Sequence, residues 1–76
     1  MIQFMNSPED MEWVRYMVEG FENLPKFESA VIYGNEDSPN RIDLYESNDP
    51  LYTDSFIRYE MDDMGIYQRD VVTIGR

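Results

Sequence analysis

The sequence predicts an α+β fold, with one N-terminal helix packed on a four-stranded antiparallel meander. Three observations carry this reading. Ser7–Leu24 (SPEDMEWVRYMVEGFENL) places apolar residues at helical spacing between a capping serine and a stopping proline. Phe27–Tyr33 and Arg41–Glu46 are rich in β-branched and aromatic residues and flank a stretch dense in turn formers. Ser55–Met61 and Ile66–Ile74 repeat that arrangement around Asp62–Gly65.

The helix is expected over residues 8–23. Ser7 is a good N-cap, and Pro8 suits the first helical position because its missing N–H would have no partner there. Glu9 and Asp10 place negative charge where the helix dipole is positive. Val14, Met17, Val18, Phe21 and Leu24 form one apolar stripe, and Glu12, Tyr16, Glu19 and Asn23 line another face. Pro25 stops the helix, since a residue before proline avoids the α region. Met1–Met5 is an edge strand or a packed arm.

Phe27–Tyr33 and Arg41–Glu46 make a hairpin through Gly34–Asn40 (GNEDSPN). Ser47–Thr53 is a loop. Ser55–Met61 alternates as a strand, with Ile57, Tyr59 and Met61 on one face, and pairs with Ile66–Ile74. Val31 or Ile32, then Ile42, Leu44, Ile57, Tyr59, Val72 and Ile74, are expected to face the helix. Arg41, Asp43, Tyr45, Arg58, Glu60, Tyr67 and Arg69 are expected on the far side, pairing across strands. In the alternative, Asp54 caps a short helix that ends before Gly65. With Met1–Met5 as a strand this gives β-α-β-β-α-β, the split βαβ or ferredoxin-like pattern.

The 76 residues make a single small acidic domain over 1–76, with sixteen acids against six bases and a net charge of −10. There is no cysteine and no histidine, so Cys/His zinc sites and Ser–His or Cys–His nucleophiles are excluded within this chain. A domain this short seldom encloses a pocket of about 300 Å³, and no glycine-rich phosphate loop is present, so catalysis is not expected. Asp62–Asp63, Glu36–Asp37 and Asn48–Asp49 lack the EF-hand pattern; no metal or cofactor is expected. No apolar run reaches the roughly 18 residues of a membrane span, and MIQFMN has no basic region, so a cytoplasmic protein without a signal peptide is expected.

The charge weighs against direct contact with nucleic acid or anionic membrane and points to a partner with a basic surface. Nine acids lie between Asn35 and Asp63 against only Arg41 and Arg58. Duplex DNA carries a phosphate every ~3.4 Å per strand. Glu12 and Glu19, on one continuous helix, would stand ~10.5 Å apart along its axis. Glu36, Asp37, Asp62 and Asp63 in the two turns can extend that row. Trp13 and Tyr16 are the candidate aromatic anchors, because Trp and Tyr are enriched at interface centres; the competing role for Trp13 is to cover a core edge.

In size and charge the chain resembles small acidic phage-encoded inhibitors of restriction and CRISPR enzymes. The resemblance is one of composition and rests on no motif. It implies a non-enzymatic inhibitor that blocks a basic nucleic-acid-binding enzyme or complex by charge mimicry, acting in the host cytoplasm if phage-encoded, as a monomer or weak homodimer. Two other classes fit the composition: a structural or assembly subunit whose acidity serves solubility, and a carboxylate-based cation-binding module or enzyme.

Overall fold

A computed structural model describes residues 2–18, 27–35, 37–47 and 54–74. One helix and five strands follow in the order β1 (Ile2–Met5), α1 (Pro8–Met17), β2 (Ser29–Asn35), β3 (Ser38–Tyr45), β4 (Ser55–Met61) and β5 (Tyr67–Thr73). The strands form one antiparallel sheet in sequence order, β1-β2-β3-β4-β5. The α+β reading holds, but the sheet has five strands rather than four. Ile2–Met5 is the added one, pairing Ile2 with Tyr33 and Met5 with Ala30. Ser55–Met61 is a strand, so the split βαβ branch with a second helix is not taken.

The helix starts as its cap dictates. Ser7 Oγ accepts from the Asp10 N–H at 3.0 Å, Pro8 opens the first turn, and Glu9 and Asp10 follow it. It is shorter than expected. Val18 is the C-cap, with φ −99° and ψ 13°, so α1 ends at Met17. The rest of the predicted helix, including Phe21 and Leu24 of its stripe, lies outside the described residues. No described helix is long and apolar enough to cross a membrane.

Val14 and Val18 are fully buried and pack with Met5, Phe27, Ala30, Ile32, Ile42, Leu44 and Tyr59. The strand alternation therefore resolves in favour of Ile32, with Val31 on the other face. Burying a Val, Leu or Ile side chain is worth about 1.5–3 kcal/mol, so this cluster is the main source of stability.

The parity of β5 reverses the expectation. Alternation from the four-residue turn predicts Val72 and Ile74 inward, and Tyr67 and Arg69 outward. The register instead sets Tyr67 opposite Met61, Arg69 opposite Tyr59 and Val71 opposite Ile57. Directly opposed residues share a face, so Tyr67, Arg69 and Val71 join the helix side, and Val72 joins the far side. The β4–β5 turn is the cause. The Asp62 N–H donates to the Ile66 carbonyl at 2.9 Å, leaving a three-residue loop of Asp63, Met64 and Gly65. An even-numbered loop would have shifted every β5 side chain to the other face.

The β2–β3 turn is also tighter than the Gly34–Asn40 stretch suggested. Both strands run into that stretch, to Asn35 and from Ser38. A register shift at Tyr33/Gly34 absorbs the difference, with Gly34 at φ +96°. Only glycine adopts that conformation without strain.

Candidate functional site

The sheet brings two acidic turns to one end. The β2–β3 and β4–β5 hairpins point the same way, because β3 and β4 are antiparallel neighbours with Arg41 opposite Glu60. Their tips are two strand spacings apart, about 10 Å. The Tyr67 hydroxyl donates to the Pro39 carbonyl at 2.6 Å and ties the second hairpin to the base of the first. Asp37, Asp62 and Asp63 are all exposed at this end. Glu36 lies outside the described residues.

The two turns hold their acids differently. Asn35 Oδ1 accepts from the Asp37 N–H at 3.0 Å, which leaves the Asp37 carboxylate outside the turn's own bonding. Asp62 is the keystone of its turn. Oδ1 accepts from the Met64 N–H at 2.9 Å and the Ile66 N–H at 3.0 Å, and Oδ2 accepts from Gln68 Nε2 at 3.0 Å. The Ile66 N–H above all holds the Asp62 carboxyl below the usual aspartate range; desolvation opposes it, and the Met64 N–H and Gln68 add to the lowering. Asp62 therefore builds the site, while Asp37 and Asp63 present charge.

The helical candidates lie on α1 rather than on the hairpins, with Glu12 and Tyr16 one turn apart. Glu12 is exposed, and Tyr16 is 73% exposed. Trp13 is half-buried against the core cluster, which fits the role of covering a core edge. Glu19 lies outside the described residues.

A second constellation lies on the sheet face opposite α1. Val31, Asp43, Arg58 and Asp70 form one cross-strand row, and Ile2, Tyr33, Arg41, Glu60 and Gln68 form the next. Asp43 was expected on a wet face but is 1% exposed. Arg58 donates to it from Nε at 3.0 Å and Nη2 at 3.4 Å, and Arg41 Nη2 approaches it at 3.3 Å. The Asp43 hydrogen bond raises the pKa of Arg58 further against the effect of burial. Arg41 lies 3.7 Å from the Tyr33 ring centroid and Arg58 5.2 Å from that of Phe56, while Tyr45 and Phe56 stack at 4.9 Å. Burial, then the Asp43 charge, pushes the Tyr45 hydroxyl pKa up. Arg41 Nε is buried with no acceptor among the described residues.

The alternation of Arg41, Asp43 and Tyr45 placed these side chains on one face correctly. It gave no hint that the arginines would close over the carboxylate. At the turn end of this face, Ile2, Tyr33, Gly34, Asn40, Arg41, Glu60 and Met61 line an open depression of about 460 Å³. Its volume exceeds the expectation for so small a domain, though it is a surface hollow rather than an enclosed pocket. Among the described residues no group of three or more acids is arranged to hold a metal ion.

Comparison of the chain with protein-family models, with curated proteins and with solved structures returns no match.

Proposed function

We propose that this is a non-enzymatic acidic binding protein that blocks a basic nucleic-acid-binding enzyme or complex by offering carboxylates in place of phosphates. The observation that carries the reading is the convergence of Asp37 and Asp63 on one end of the sheet, on hairpin tips about 10 Å apart. Hydrogen bonds within both turns hold their acids in place, which lowers the entropic cost of binding. A net charge of −10 attracts a Lys/Arg-lined groove over a distance and speeds encounter. Tyr16, exposed on α1, is the aromatic anchor in this reading. The protein acts in the cytoplasm and needs no cofactor.

The test is capture on the immobilised chain from a lysate of the cells that carry it, at low salt, followed by elution with duplex DNA. A basic nucleic-acid enzyme released both by DNA and by raised salt is the expected result, because exposed ion pairs are screened over about 8 Å at physiological ionic strength. Capture indifferent to both overturns the mimicry. A different observation, the exposure of Ile2 and Phe4 on a sheet face that no described helix or strand covers, favours an assembly subunit as the second reading.

A further inference from the structure

Among the described strands, β1 and β5 are the edges of the sheet. An edge strand presents a row of backbone donors and acceptors on which another strand can pair. β1 is four residues long, which limits that hazard. β5 has seven, and it runs into Val71–Ile74 (VVTI), four β-branched residues in succession without a charge. Gln68, Arg69, Asp70 and Val71 are all exposed, Val71 at 61%.

Hydrogen bonds at both ends of the β4–β5 ladder determine which groups face the open edge. The Asp62 N–H donates to the Ile66 carbonyl, and the Ile74 N–H donates to the Asp54 carbonyl. Bonded pairs alternate along an antiparallel ladder. Gln68, Asp70 and Val72 therefore bond to β4, and Val71 turns its N–H and carbonyl away from it. That N–H is already taken. It donates to Oδ1 of the preceding residue, Asp70, at 3.0 Å. Asp70 stands opposite Arg58, whose guanidinium is bonded to Asp43, and its carboxylate turns to the backbone of its own strand.

We infer that Asp70 guards the edge of β5 against pairing with β5 of a second copy. Two such strands, related by a two-fold axis at Val71, would exchange Val71 N–H···O=C bonds, one in each direction. With Asp70 in place that donor is occupied. An incoming strand has to displace a carboxylate from it and take the charge out of water. A two-fold contact meets this cost once in each copy. The guard is independent of the charge-mimic reading, which rests on the hairpin tips.

Asp70→Ala and Asp70→Asn separate the cap from the charge. Both remove one negative charge, but asparagine keeps a side-chain oxygen that can accept from the Val71 N–H. Asp70 is exposed, so both variants melt close to the wild type. In amide hydrogen exchange at low protein concentration, Val71 exchanges about tenfold faster in Asp70→Ala than in Asp70→Asn. Light scattering over a concentration series is read at raised salt, which screens the net charge of −10. There Asp70→Ala associates at concentrations about tenfold lower than Asp70→Asn or the wild type. In a mixture of labelled and unlabelled Asp70→Ala chains, intermolecular NOEs join β5 to β5. An Asp70→Ala chain that stays as monomeric as the wild type overturns the inference. So does an Asp70→Asn chain that associates as readily as Asp70→Ala, which would assign the effect to charge alone. Equal Val71 exchange in the two variants, or intermolecular NOEs that leave out β5, overturns it as well.

Discussion

Arg58 on β4 reaches across to Asp43 on β3, donating from Nε at 3.0 Å and from Nη2 at 3.4 Å, and so holds a carboxylate that is almost wholly out of solvent. Arg41 assists from the neighbouring row at 3.3 Å. Removing one partner of a buried pair leaves a charge uncompensated, and this decides the cost. Arg58→Ala is expected to destabilise by about 3 kcal/mol, with Arg41 limiting the loss. Arg41→Ala should cost less, because it leaves the bidentate partner in place. Urea unfolding of the two variants gives the order.

Asp62 gives a pH signature. Its folded pKa is lowered, first by the Ile66 N–H. A depressed carboxylate pKa contributes stability that is present above the unfolded value near 4 and lost as pH falls through the folded value. Asp62→Asn removes that ionisation. The urea midpoints of wild type and variant should therefore differ most at neutral pH and converge below about pH 4. A gap that stays constant across this range would assign the stabilisation to another group.

Among the described residues two glycines stand at positive φ, Gly34 at +96° and Gly65 at +79°. A Cβ at Gly65 meets open space, so Gly65→Ala carries only backbone strain, about 1 kcal/mol. At Gly34 the added atom lies 3.0 Å from Asn40 Oδ1 and 3.2 Å from the Asn40 nitrogen. Gly34→Ala should cost about 2 kcal/mol or more. Thermal melts that reverse this order would mean the register shift at Gly34 relaxes when crowded.

Val14 is fully buried beneath the sheet-facing side of α1. Val14→Asp places an unpaired charge in a small core and should unfold the protein. Glu12→Lys, on an exposed position two residues earlier, should leave a cooperative melt. Circular dichroism separates the two.

The hairpin tips predict a kinetic effect. Asp37→Lys with Asp63→Lys should slow association with the proposed basic partner more than it speeds dissociation, because peripheral charges act mainly on encounter. Asp62 is unsuited to the same test, since its reversal dismantles the turn. Surface plasmon resonance at two salt concentrations reads this directly. Equal loss in both rate constants would place these acids inside a desolvated contact.

The local features of this protein are written in short stretches of sequence. Ser7–Pro8 with Glu9 and Asp10 fixes the helix start, because a cap depends on atoms three residues apart. The alternation of Ile42 with Asp43, and of Ile57 with Arg58, fixes two faces for β3 and β4, because side chains in a strand change sides at every residue. The acids of the two turns were legible as well, since turn residues carry their own signal.

What tertiary structure decided was everything that depends on one segment meeting another. The loop of Asp63, Met64 and Gly65 closes between Asp62 and Ile66, and its odd length put Tyr67 inward and Val72 outward, although alternation alone fits either parity. Ile2–Met5 is a strand because Ala30–Tyr33 offers it an edge. Asp43 is buried because two arginines from two strands close over it, whereas by itself an aspartate between Ile42 and Leu44 reads as the wet side of a strand. Periodicity is a property of one strand, but register and burial belong to pairs of strands and depend on the geometry that joins them.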